Sequence, residues 1–218
     1  MKKIVVAAVI LLASGTGYVG YDAYSQDRFV RSLVPLVKNT SLRVSNSARY
    51  ESDGDSTITY KELFERIESD VQEVDRNLLA IQTLSAPGTA SITEPTVDYV
   101  RAGQACLRSL LAKYRKQLEL SSAVSSADRA IKEISGSSPY ARELAERRSD
   151  EAIQRVGDAE NEYKASLPEV VHAVTQLLEL RERVGSIFPE DALIPVAQLE
   201  TVAQKNAKKS ESAASPSN

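Results

Sequence analysis

Residues 59–84 read TYKELFERIESDVQEVDRNLLAIQTL, with apolar side chains at Tyr60, Phe64, Ile67, Val71, Val74, Leu78 and Ile81. These positions alternate four and three apart, the spacing that keeps one stripe of a helix facing a partner. The start is equally explicit. Thr59 supplies a hydroxyl at the N-cap and Glu62 a carboxylate three residues on, so each can satisfy a backbone donor that the first helical turn leaves open. Ser85-Ala86-Pro87-Gly88-Thr89-Ala90-Ser91 then reads as a loop by composition.

Two further seams follow. Beyond Pro95, apolar residues recur at Val97, Val100, Leu107, Leu111, Tyr114 and Leu118, with Gln104 as a polar interruption. The phase then shifts to Val124, Ala127, Ile131 and Ile134, and Gly136-Ser137-Ser138-Pro139 marks a second turn. The last long segment carries Ile153, Val156, Tyr163, Leu167, Val170, Val174, Leu177 and Val184 on one frame, with Glu160 and Arg181 as exceptions. Its outer face places Glu143, Glu151, Glu160 and Glu179 each four residues before a base, the favourable orientation for helical ion pairs. Pro168 lies inside this segment beside the capping pair Ser166 and Glu169, which predicts a kink or a fresh start.

Upstream, Phe29, Leu33, Val34 and Val37 have helical spacing, interrupted by Pro35 and followed by a polar stretch from Asn39 to Arg49. This predicts a juxtamembrane helix, its extent left open, broken or bent at Pro35. Gly185, Pro189 and Pro195 end regular structure, Leu193–Val202 forms a short terminal helix, and residues 205–218, rich in Ser, Ala and Lys, read as a disordered tail. The fold class expected is all-α: an elongated antiparallel bundle of three to four long helices with coiled-coil-like seams. Mating of the seams between chains, giving a dimeric stalk, is the alternative.

The first 24 residues form a separate unit. Lys2 and Lys3 precede the apolar run Ile4–Ala13, the order of a membrane-targeting segment. Ala13 and Gly15 fit a signal-peptidase site, which favours cleavage. The uncharged stretch also continues to Tyr21, and Tyr18, Tyr21 and Tyr24 fit an interfacial belt, which favours a retained anchor. With the lysines on the short side, residues 25–204 are expected outside the cytoplasm: in bacterial terms, a periplasmic domain on a single-pass inner-membrane anchor, or one secreted after cleavage.

Composition narrows function. The chain has 218 residues, a net charge of −3, one Cys, one His and no Trp. That balance argues against a nucleic-acid partner, and the scarcity of Cys and His against a zinc cluster, a disulfide framework or a histidine-based catalytic machine. Cys106 reads as a small buried hydrophobe, His172 as a surface histidine, and Asp158, Glu160 and Glu162 as a solvated face. Lys205, Lys208 and Lys209 are too few for a lipid-binding patch. The expected role is non-enzymatic: a tethered helical protein that meets another envelope protein or a second copy of itself.

One local motif points elsewhere. Glu51-Ser52-Asp53-Gly54-Asp55-Ser56-Thr57-Ile58-Thr59-Tyr60-Lys61-Glu62 resembles the twelve-residue calcium loop of EF-hand proteins. The resemblance implies a calcium- or ligand-responsive module with Asp53, Asp55 and Glu62 as metal ligands. Glu51 stands where the loop has Asp, and Ser56 where it has Gly. The match covers 12 of the 218 residues.

Overall fold

The computed structural model describes residues 2–53, 58–84, 88–136 and 138–214, with side chains described for 25–51, 58–84, 88–136 and 138–212. Among the described residues the regular structure is all helical: α1 (Lys2–Asp53), α2 (Tyr60–Leu84), α3 (Ala90–Gly136), α4 (Pro139–Val184), a single 3-10 turn (Glu190–Ala192) and α5 (Val196–Ala214). All five helices pack on one another. The expected anchor, 1–24, lies outside the described side chains. Among the described residues no helix is long and apolar enough to cross a membrane.

Side-chain bonds fix the directions. On α1 and α2 the numbering runs in opposite senses, Asn77 to Thr40 at 3.1 Å and Asp70 to Ser47 at 3.2 Å. On α1 and α3 it runs in the same sense, Ser41 to Tyr99 at 2.9 Å and Glu51 to Lys113. Lys116 on α3 meets Glu162 on α4 at 2.5 Å, which sets these two antiparallel. The 3-10 turn and α5 return parallel to α1 at a nearly constant offset: Lys38 meets Asp191 of the turn, and on α5 Gln198 meets Ser45 and Lys205 meets the Glu51 carbonyl. Helices α1, α3 and α5 thus run one way, α2 and α4 the other.

The core is built from Leu33, Val37 and Val44 of α1, Ile67, Val74 and Ile81 of α2, Val100, Leu107 and Leu110 of α3, Val170, Val174 and Leu177 of α4, and Leu199 and Val202 of α5. Gly103 marks the close approach of α1 to α3, since a Cβ there would stand 3.2 Å from Thr40 and 3.3 Å from Val44.

Several expectations change. Helix α1 runs unbroken through Pro35. That residue is exposed, so the bond its ring removes is lost on the solvent-facing side of the helix. The exposed Pro168 is accommodated in the same way inside α4, and Ser166 donates to Tyr163 O at 2.6 Å instead of capping a new helix. The polar stretch of α1 is core-facing: Thr40, Ser41, Ser45 and Ser47 are buried. On α2 the buried stripe is Leu63, Ile67, Asp70, Val74, Asn77 and Ile81, rotated one residue from the apolar seam, leaving Phe64, Val71 and Leu78 half-buried. Helix α3 starts at Ala90, five residues before Pro95, and passes residue 118 without a break. Helix α5 continues past Lys205 to Ala214, tied down by the Glu51 contacts, where composition suggests disorder.

The long helices do not end together. Helix α1 stops at Asp53, beside Lys113 and Tyr114, and α2 begins at Tyr60, eight residues before its contact with Arg115. From about residue 124 of α3 to 155 of α4 the hairpin projects alone. In that arm only Ala127, Ala145, Ser149 and Ala152 are buried among the described residues.

Candidate functional site

Three places concentrate chemistry: the residues around the calcium-like loop, a buried charge cluster where α1 ends, and the bare arm.

Asp55 lies outside the described residues, and so does the side chain of Asp53 at the end of α1. Glu62 is exposed, and its carboxylate closes the capping box: Thr59 N–H and hydroxyl both donate to Glu62 Oε2 at 3.0 Å, and Glu62 N–H donates to Thr59 Oγ1 at 3.3 Å. These bonds, the backbone one foremost, hold the Glu62 carboxyl below its ordinary pKa. Glu51, the first position of the loop match, is helical and buried in the bundle, not in a loop. Among the described residues no group of three or more His, Cys, Asp or Glu gathers as metal ligands would.

The cluster at Glu51 was not foreseen. Its carboxylate and the Lys113 ammonium are 3% and 1% exposed and form a direct ion pair. Tyr114 donates to the same oxygen at 3.0 Å, and Lys209 reaches the other carboxylate oxygen at 3.6 Å. Lys205 donates to the Glu51 carbonyl. Burial raises the Glu51 pKa, but Lys113, Lys209 and Tyr114 outweigh it and leave the group below its usual value. Lys113 has one anion and two like-charged neighbours, so burial prevails and pushes its pKa down to about 8. One carboxylate therefore ties α1, α3 and α5 together where α1 ends. Lys113 stands one heptad beyond Cys106 and two beyond Tyr99, a periodic signal that a search for apolar residues passes over.

A cleft of about 810 Å³ opens between α1 and α2, lined by Arg43, Arg49, Tyr50, Glu62, Arg66 and Asp70 among others. Arg43 is bound to Asp70 at 3.1 Å, and Arg66 donates to the Tyr50 hydroxyl at 2.6 Å. Burial raises the Asp70 pKa despite Arg43 and Ser47. Acids and bases here neutralise one another, so the cleft offers no net field for a charged ligand.

Cys106 is fully buried, and burial pushes its thiol up to about 12, which makes it inert. His172 is exposed beside Pro168 in a shallow groove between α4 and α5. Asp158, Glu160 and Glu162 are exposed on α4, with Glu160 paired to Lys164 at 2.8 Å. Arg181, an exception in the α4 seam, is buried and donates to Ile194 O at 2.6 Å, fixing the turn into α5.

The arm presents the third feature. Val124, Ile131, Leu144 and Ile153 are 41%, 46%, 51% and 52% exposed, and Tyr140 at the tip is 99% exposed. Comparison with known proteins adds no family: no family model matches the chain, and no curated protein or solved structure is detectably similar to it.

Proposed function

We propose that this chain is a non-enzymatic, membrane-tethered extracytoplasmic helical adaptor that uses the α3–α4 arm to engage a protein partner in the cell envelope. The arm carries the reading. A helical hairpin whose seam consists of three alanines and a serine buries little apolar surface, yet it exposes larger aliphatic residues at several points. A partner that covered them would supply the burial the hairpin lacks. The Lys2-Lys3 and Ile4–Ala13 segment supports a tether with its lysines in the cytoplasm and residues 25–204 in the periplasm. Because α1 enters at one end of the bundle and the arm leaves at the other, that arrangement points the arm away from the bilayer.

The test is in-cell photocrosslinking from position 140 of the tagged, full-length chain, followed by purification from the membrane fraction and mass spectrometry. One protein recovered in near-stoichiometric amount is expected. Crosslinks no richer than those from an exposed site in the base, such as Lys61, would overturn the reading, as would recovery of the chain in the cytosolic fraction.

A further inference from the structure

The apolar residues of the arm are not scattered. Gly103 of α3 lies against α1, and Leu110, one heptad on, is fully buried. Val124 and Ile131 stand three and four heptads beyond Gly103, so they prolong the stripe that α1 covers lower down. On α4, Ile153 stands two and three heptads before Leu167 and Val174, both fully buried in the base. The antiparallel register set by Lys116 and Glu162 brings Ile153 level with Val124. In the base, α1 lies on α3 and α5 on α4, the two touching each other, and α2 packs beside them on α1 and α3. Beyond Asp53 and Ala214 the places of α1 and α5 are vacant among the described residues, while the stripes they would cover continue for about two more turns of helix.

We infer that a second copy of this chain fills those places, its α3–α4 arm packing on the first about a two-fold axis to make a four-helix tip. This rests on the reading of the arm as the interaction surface and names its partner. Charge favours self-association. Between residues 124 and 155 six acids balance six bases, so two copies meet without repulsion, while a strongly charged partner finds no field to follow. The places left by α1 and α5 accept two helices, and an arm is two helices. A face about 24 Å long by ~20 Å wide, doubled, gives about 1,000 Å², the lower bound of a specific interface, so the dimer is expected to be reversible.

Sedimentation equilibrium of the full-length chain in nonionic detergent, from about 1 to 100 μM, decides it. A monomer–dimer equilibrium is expected. Ile131→Lys and Ile153→Glu should each weaken dimerisation at least about tenfold with unchanged helicity and melting. Both sites are half exposed; if either variant misfolds, Val124→Ser serves instead. A monomer at every concentration overturns the inference, and so does a dimer indifferent to these substitutions. If the chain stays monomeric while position 140 crosslinks to a different protein, the second copy is excluded and the adaptor reading stands. Loss of both signals removes both.

Discussion

Glu51 shows how one buried charge acquires its role. Removing Glu51 strands Lys113 at 1% exposure, and an unpaired buried charge costs about 3–5 kcal/mol. Removing Lys113 is milder, since Lys205 and Lys209 remain near Glu51. Glu51→Leu is therefore expected to destabilise the chain more than Lys113→Met. The double variant Glu51→Leu with Lys113→Met should recover most of the loss, because an apolar pair of similar volume avoids both desolvation costs. Chemical denaturation of the four proteins measures the cycle, and additive losses would refute it. Acidity supplies a second check. The Glu51 pKa is lowered by folding, so its contribution is present above about 4.5 and is lost as pH falls through the folded value. Lys113 is depressed from 10.5 to about 8, so the unfolded chain holds that proton longer and stability rises between these values. The stability of the wild type relative to the double variant should fall below pH 4.5 and climb above pH 8. A flat difference in thermal melts across both windows would contradict it.

At the level of the element, periodicity was a reliable guide to where helices lie and a poor one to how they are turned. The Thr59–Glu62 cap, the turn before Pro139 and the helical ion pairs at Glu143–Arg147, Glu151–Arg155 and Glu160–Lys164 are all present. These are local signals, set within four residues. The rotation of α2 is different: Asp70 and Asn77 turn inward because Arg43, Ser47, Asn39 and Thr40 of α1 wait there as partners. No window of local sequence contains both sides of that exchange. The same reason hides the core role of residues 39–49 and the Glu51–Lys113 pair, whose members stand 62 residues apart. The tight α1–α3 crossing yields a prediction at this scale. Gly103→Leu pushes a branched side chain into Thr40 and Val44, and overpacking of this kind costs about 1–3 kcal/mol. A melting temperature equal to the wild type would show that the helices part freely.

For the whole molecule, packing is concentrated at one end of the α3–α4 hairpin. Base positions such as Tyr99, Leu107 and Leu177 are wholly enclosed, while the arm closes over three alanines and a serine. Amide exchange should follow this division. At concentrations where the chain is monomeric, peptides from 124–152 are expected to exchange well before those from 96–114, with frequent local opening in the arm and near-global opening in the base. Uniform protection along α3 would contradict the division.

The parallel course of α1 and α5 has a mechanical consequence. Lys38, Ser45 and Glu51 are spread along α1, and they grip Asp191 of the 3-10 turn and Gln198 and Lys205 of α5 at a nearly constant offset. Because α1 enters at the end opposite the arm, tension between the first helix and the arm acts along the helix axes. Such a load shears all three grips together instead of peeling them in turn, so the bundle resists a pull along its axis more strongly than one across it.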